Sequence, residues 1–395
     1  MYQLSKKRYN CVLIIFFLIF SLILSGCGKK EEKEEVKQTT TQKVTTKTDK
    51  EKIIKIGAIL PLTGPGAIFA QYIKEGIDLA IEEINSKTSQ KIKIFYEDSK
   101  NQPKEAISVY NKLVELEKPL AVIVALSSVA KALAPLATPS KTVQIGIAVA
   151  IPGVTDISEY VFRIYPEAYD IAGIMATYDA KKLGCKTAGV IYINDDFGRS
   201  SYEVFKEVFE KYGGKITLTE SYEPLQRDFR SQLLKLMRVN PDCIYLSGYG
   251  IAYGIIIKQL KELGINSQLT ADMTLGLPNT LEQVGNSAEG AYFVDGKMSD
   301  EFIRKFKNRY NKEPASYAGY AYDIINILYK IITERKATTS DSVKDGLLKI
   351  KDYPGVMGKI TILPNGDSTL QFVVKQIKNS RPLVVQEALN CMITQ

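Results

Sequence analysis

Ile53-Ile54-Lys55-Ile56-Gly57-Ala58-Ile59-Leu60 is a short β-rich run, and Pro61-Leu62-Thr63-Gly64-Pro65 stops it. The chain then becomes amphipathic at helical spacing over Ala67–Asn85. Strand, turn and helix in that order repeat along the chain. Further strands are expected at Lys91–Glu97, Ala121–Val124 and Thr142–Ile147, with a helix at Pro103–Glu117. Such alternation argues for parallel sheets covered by helices on both faces.

A second series follows a break near Tyr165–Ala168. Its strands are expected at Ala188–Ile193, Lys215–Ser221, Cys243–Ser247, Gln268–Thr270 and Gly290–Val294. Its helices are expected at Ala168–Leu183, Phe197–Tyr212, Phe229–Val239 and Ile251–Leu263. The run Gly189-Val190-Ile191-Tyr192-Ile193 suits a strand buried on both sides. A helical cluster spans Ser299–Lys349, and the tail returns to β-like sequence at Lys359–Leu363 and Thr369–Lys378. The 395 residues are enough for two domains. The expected fold is α/β: two doubly wound, Rossmann-like lobes joined by a hinge that the chain crosses more than once. Ligands of open α/β sheets sit beyond the carboxyl ends of the strands, so two facing lobes enclose one cleft.

The chain holds no histidine, which removes a Ser-His-Asp triad, a Cys-His pair and a His-ligated metal site. Its five cysteines, Cys11, Cys27, Cys185, Cys243 and Cys391, form no CxxC pair, so no metal site and no cofactor are expected. Cys185 and Cys243 both precede strands of the second series. Whether they pair depends on a Cα separation that sequence does not give, and free buried thiols are the expectation. A net charge of +8 without a long basic stretch interleaved with aromatics gives nucleic-acid binding little support.

The first residues read as an export signal. Lys6-Lys7-Arg8 precede an apolar run, Cys11–Leu24, too short to span a bilayer comfortably. Leu24-Ser25-Gly26-Cys27 looks like a lipobox, which implies lipidation of Cys27 and loss of residues 1–26. Residues 28–51 are rich in Lys, Glu, Gln and Thr and cannot offset their ordering entropy by burial, so 27–51 is expected to be a flexible tether. The chain beyond is expected to divide into one lobe of 52–167 plus 296–353 and another of 168–295 plus 354–395.

Several motifs occur in a familiar order. Ile56–Pro65 is followed by Gly76-Ile77-Asp78-Leu79-Ala80-Ile81-Glu82-Glu83-Ile84-Asn85, then Glu97-Asp98, Pro103 and Leu126-Ser127-Ser128. Val161-Phe162-Arg163, Asp195-Asp196-Phe197-Gly198, Asp228-Phe229 and Pro241-Asp242 come next, with Tyr320-Ala321-Tyr322-Asp323 and Gly355–Ile360 last. The whole resembles the branched-chain (Leu/Ile/Val) amino-acid binding proteins, of the type I periplasmic-binding-protein fold. The resemblance implies an extracytoplasmic lipoprotein that captures a small solute, an amino acid above all. It further implies ABC permease subunits as partners and a membrane reached through the lipid anchor at Cys27.

The same resemblance marks a site. Ser127 and Ser128 precede the apolar run Val129–Leu136 and are placed to cap a helix and to donate to a carboxylate. Asp272, after Gln268–Thr270, matches an acidic position suited to an ammonium. Tyr249, Phe197 and Phe69 match aromatic positions around the ligand. Ala148 and Ala150 match a loop that offers backbone groups beside a hydroxyl. Here the hydroxyl position is Ala150, a loss expected to weaken a carboxylate by about 1–3 kcal/mol unless another group substitutes. An aromatic or less polar solute suits that change.

Two other classes compete. Gly248-Tyr249-Gly250-Ile251-Ala252-Tyr253-Gly254 with Asp272 downstream imitates a dinucleotide fingerprint, but Tyr253 fills the position where close helix packing needs a small residue. A free-standing sensor of the same fold is the other reading. A neighbouring permease and ATPase gene set favours transport, and a neighbouring sensor kinase favours signalling.

Overall fold

The computed structural model describes residues 53–389. The expected signal segment, the expected tether and Cys27 lie outside the described residues. The first lobe opens with β1 (Ile54–Leu60), α1 (Ala67–Lys87), β2 (Ile92–Asp98) and α2 (Pro103–Glu117). It continues with β3 (Ala121–Ala125), α3 (Ser127–Ser140), β4 (Val143–Ile147) and a short β5 (Val161–Arg163). These strands form one parallel sheet, order β2-β1-β3-β4-β5. Every residue of β3 and β4 is buried, as strands covered on both faces require.

The second lobe begins with a π-turn, Tyr169–Gly173, that runs into α4 (Ile174–Lys181). It goes on through β6 (Thr187–Ile193), α5 (Asp196–Lys211), β7 (Lys215–Tyr222), α6 (Arg230–Val239) and β8 (Cys243–Ser247). Then come α7 (Ile251–Glu262), β9 (Gln268–Ala271), α8 (Pro278–Val284) and β10 (Tyr292–Gly296). The chain returns to the first lobe for α9 (Asp300–Tyr310), α10 (Ser316–Glu334) and α11 (Ser340–Leu347). The long α10 lies against α1 so closely that a Cβ on Gly76 would meet the Ala318 carbonyl oxygen at 2.1 Å.

The last segment departs from the all-parallel expectation. A small sheet of β11 (Tyr353–Gly355), β12 (Gly358–Ile362) and β13 (Ser368–Thr369) comes first. Next, β14 (Phe372–Lys378) and β15 (Arg381–Leu389) add antiparallel strands to the edge of the second sheet, giving the order β15-β14-β10-β9-β8-β6-β7. Purely parallel pairing ends there because the chain arrives from the hinge and not from a crossover helix.

A buried Arg163 ties the hinge together. Its Nε donates to Asp367 Oδ1 at 2.8 Å, Nη2 to Glu167 Oε2 at 2.8 Å and Nη1 to the Ile151 carbonyl at 2.8 Å. It thereby joins the end of β5, the first crossing and the approach to β13. Asp323 of α10 accepts from the backbone N–H groups of Val356 and Met357 at 2.8 and 3.0 Å, fixing the β11–β12 turn.

Cys185 and Cys243 are joined in a disulfide, with Cα atoms 6.0 Å apart. This corrects the expectation of free thiols. The turn after α4 brings Cys185 to the start of β8, a proximity set by sheet order and not by sequence.

Candidate functional site

A narrow pocket, with about 20 Å³ of water-accessible space, lies between the carboxyl ends of the two sheets. The first lobe lines it with Phe69, Asn101, Leu126, Ser127, Ser128 and Ala148, and the second with Asp195, Phe197, Tyr249 and Thr274. Tyr165, from the first crossing, and Tyr317, from α10, close its hinge side.

The first-lobe wall joins the Phe69 and Asn101 side chains to the start of α3 and the turn after β4. Leu126 (φ 74, ψ 143) links β3 to α3, and Ala148 (φ 53) follows β4. Both are non-glycine residues at positive φ, a cost of about 1–3 kcal/mol each that the packed surroundings must hold. The result aims the first turn of α3, which no side chain caps, at the cleft. Uncapped N–H groups and the helix dipole favour an anion there. Ser127 does not cap α3 as expected. Its Oγ instead accepts from the Ala150 N–H at 3.1 Å. That bond occupies the Ala150 N–H, the Ala168 N–H occupies its carbonyl at 2.7 Å, and Ala150 is absent from the pocket lining. The expected Ala150 contact is therefore corrected, while Ala148 remains.

Aromatic rings fill the middle. Phe69 packs on Tyr317 and, edge-on, on Tyr249, with centroids 4.9 and 5.4 Å apart. Tyr165 stands 5.5 Å from Tyr317, and Phe197 stands 6.4 Å from Tyr249. Phe69, Phe197 and Tyr249, the aromatic positions that the resemblance marks, all line the pocket.

The acid is where the correction is largest. Asp272 is fully buried behind the β8–α7 loop and absent from the pocket lining. Its Oδ2 accepts from the Gly248 N–H at 2.7 Å and from Ser247 Oγ at 3.2 Å. Its Oδ1 accepts from the Thr274 N–H at 2.9 Å and from Tyr253 Oη at 3.3 Å. Burial pushes its carboxyl up to about 6 against these donors. The loop it holds needs Gly248, where a Cβ would lie 2.0 Å from Tyr222 Oη.

The acid at the cleft is Asp195. Its Oδ1 caps α5 through the Gly198 N–H at 2.9 Å, and its Oδ2 accepts from Tyr249 Oη at 2.5 Å. Burial raises its carboxyl, and the bonds from Tyr249 and Gly198 pull the other way. Asn101, Asp195, Thr274, Tyr165 and Tyr317 were not expected from sequence. Only Asp195 carried a local signal, the capping position before Phe197-Gly198.

Several contacts exist only with the lobes together. Asn101 Nδ2 donates to Tyr249 Oη at 2.9 Å, Tyr72 Oη to Asn279 Oδ1 at 2.7 Å, and Lys131 Nζ to Asp196 Oδ1 at 2.9 Å. Partial burial works to raise the Asp196 carboxyl, but Lys131, Ser128 and Arg199 outweigh it and hold it below the ordinary range. Among the described residues no helix is long and apolar enough to cross a membrane, and no acid, thiol or imidazole cluster gathers as a metal site.

Two facing α/β sheets with a hinge and a lined cleft define a two-lobed binding protein. The chain belongs to the periplasmic binding protein family, whose profile matches residues 53–380. It is 26% identical over 328 residues to a Leu/Ile/Val-binding protein homolog of Brucella melitensis, covering 80% of this chain and 88% of that one. A leucine-binding protein of Thermotoga maritima superposes with a TM-score of 0.79 at 26% identity, over 85% of this chain and 98% of the other. A branched-chain amino acid transporter substrate-binding protein of Streptococcus pneumoniae, solved with isoleucine, gives a TM-score of 0.80 at 25% identity, over 86% and 100%. A Rhodopseudomonas palustris solute-binding protein, solved with 3,4-dihydroxybenzoic acid, shares the fold at a TM-score of 0.78 and 21% identity.

Proposed function

We propose that this chain captures a small hydrophobic amino acid by hinge closure and delivers it to an ABC importer outside the cytoplasm. The observation that carries the reading is the cleft's polarity. The uncapped first turn of α3, with Ser127 and Ser128, suits a carboxylate, Asp195 faces it from the other lobe, and aromatic rings lie between. The leucine- and isoleucine-related relatives support the amino acid, and the family's transport role supports the importer. The lipobox-like Leu24–Cys27 supports a lipid anchor at Cys27 on the outer face of the membrane. The chain reads as a carrier: with no histidine in the sequence, the cleft has no Ser-His or Cys-His pair.

The solute binds the first lobe, whose groups include the backbone dipoles of the first turn of α3. The second lobe then closes through Tyr249, Asp195 and Phe197. Only contacts made in the closed form shift the equilibrium, so these residues set the closed population.

A thermal-shift screen of the full chain against amino acids, aromatic acids, amides, nucleosides and short peptides tests this. A solute at 100 times its Kd adds about 2.7 kcal/mol of stability. An aliphatic amino acid giving that rise upholds the reading. A rise with aromatic acids alone, which the sealed Asp272 and the missing hydroxyl at Ala150 favour, leaves the carrier and removes the amino acid.

A further inference from the structure

Asn101 lines the cleft from the loop between β2 and α2, at a position the family resemblance does not mark. Its backbone N–H donates to Ser99 Oγ at 3.3 Å, and Lys100 and Asn101 are both left-handed, at φ 52 and 55. Asparagine visits that region more readily than most residues. The loop is pinned to the one before α1, since Asp98 accepts from Thr63 Oγ1 at 2.6 Å and from the Lys100 N–H at 2.8 Å. The carboxamide of Asn101 is therefore presented to the opposite lobe by a fixed loop.

The hydrogens along Asn101, Tyr249 and Asp195 have one consistent arrangement. A carboxylate only accepts, so the single phenol hydrogen of Tyr249 goes to Asp195. Tyr249 Oη is then left as an acceptor and needs an N–H, which Asn101 Nδ2 supplies. The carboxamide cannot be turned round without setting two acceptors against each other. Its Oδ1 is thus left over, and it is buried without a hydrogen-bond partner. A buried acceptor left unpaired is costly, and in a closed cleft the partner that can relieve it is the solute.

We propose that Asn101 is a specificity-determining residue whose Oδ1 accepts an N–H from the solute, so that the cleft selects an amine over the matching acid without one. The inference rests on the amino-acid reading of the cleft.

The test is calorimetric titration of the full chain with two matched pairs: L-leucine against 4-methylpentanoate, and L-phenylalanine against 3-phenylpropanoate. The unaltered chain prefers the amine of at least one pair by about tenfold or more, and Asn101→Ala removes that preference by weakening the amine more than the acid, both also losing the bond to Tyr249. Asn101→Asp keeps an acceptor there and keeps the preference, even with both affinities lowered by the lost bond to Tyr249. If Asn101→Ala weakens both members equally, or neither, Asn101 is only a closure contact and the proposal is overturned while the amino-acid reading stands. If the unaltered chain binds the acids as tightly as the amines, or binds no member of either pair, both fall together.

Discussion

Among the described residues no carboxylate is buried between 53 and 167, and Asp323 of α10, buried in the first lobe, serves the β11–β12 turn, whereas Asp170, Asp179, Asp272 and Asp295 are all buried in the chain that builds the second sheet. The first lobe meets the cleft with backbone dipoles, two hydroxyls, the Asn101 carboxamide and the Phe69 ring, on an apolar, all-parallel sheet. The second meets it with a carboxylate and a phenol, on a sheet that also holds ionisable groups in its core and a covalent cross-link. The difference separates two tasks. A platform whose ligand groups carry no titratable charge offers the same surface at any pH, while the lobe that closes on it responds to pH and to redox conditions.

The largest break in that comparison comes from Asp179. It is fully buried on α4, with Oδ2 accepting from Thr270 Oγ1 at 2.8 Å and Oδ1 without a partner. Burial pushes its carboxyl up to about 8, against the bond from Thr270. The folded value lies above the unfolded one, so its contribution to stability is complete below about pH 4 and is lost as the pH rises through 8. Between pH 5 and 9 that loss amounts to about 3–4 kcal/mol. Asp179→Asn is expected to flatten the profile and to be the more stable protein at pH 9, as read by denaturant unfolding at each pH. A variant as pH-sensitive as the parent would place the dependence elsewhere.

Reduction comes next. The disulfide closes a loop with a sequence separation of 58 residues inside the second lobe. Its loss, by reductant or by the double change Cys185→Ser and Cys243→Ser, is expected to cost about 2–4 kcal/mol. Hydrogen exchange should quicken in β6, β8 and β9 and not in β1, β3 and β4; equal quickening in both lobes would erase the asymmetry. At the cleft, Tyr249→Phe removes the donor to Asp195 and the acceptor for Asn101 and keeps the ring. Affinity for the best solute of the screen should fall by about 1–3 kcal/mol, and by far less for Ser128→Ala, whose backbone stays. The smallest effect belongs to Lys131→Ala, which removes the largely exposed ion pair with Asp196 and should change affinity by less than about 1 kcal/mol. That change should fade further in 0.5 M salt, at about which screening is strong.

Most of the strands were legible because parallel strands buried on both faces read as unbroken apolar runs, as in Gly189–Ile193. The missed ones fail that description. β5 is three residues long, and β15 carries Leu383, Val384 and Val385 all exposed, with no alternation to read. The site divides on similar lines. Ser127, Ser128 and Tyr249 stand directly after strands, where sheet geometry alone delivers them to the cleft. Asp272 stands after a strand too, yet its oxygens serve the loop that carries Tyr249, a choice made by Gly248 and Thr274 in space. Tyr165 and Tyr317 reach the pocket from the crossing and from α10, and only the folded hinge brings them there.

The aromatic wall has an optical consequence. The chain holds 23 tyrosines and no tryptophan, so tyrosine emission is not drained by energy transfer to indole. Tyr165, Tyr249 and Tyr317 line the cleft, and Tyr249 is bonded to a carboxylate of its own lobe, Asp195, and to Asn101 of the other. Closure thereby writes itself into the protein's own ultraviolet emission, and the rate at which the lobes shut can be followed by rapid mixing without a label.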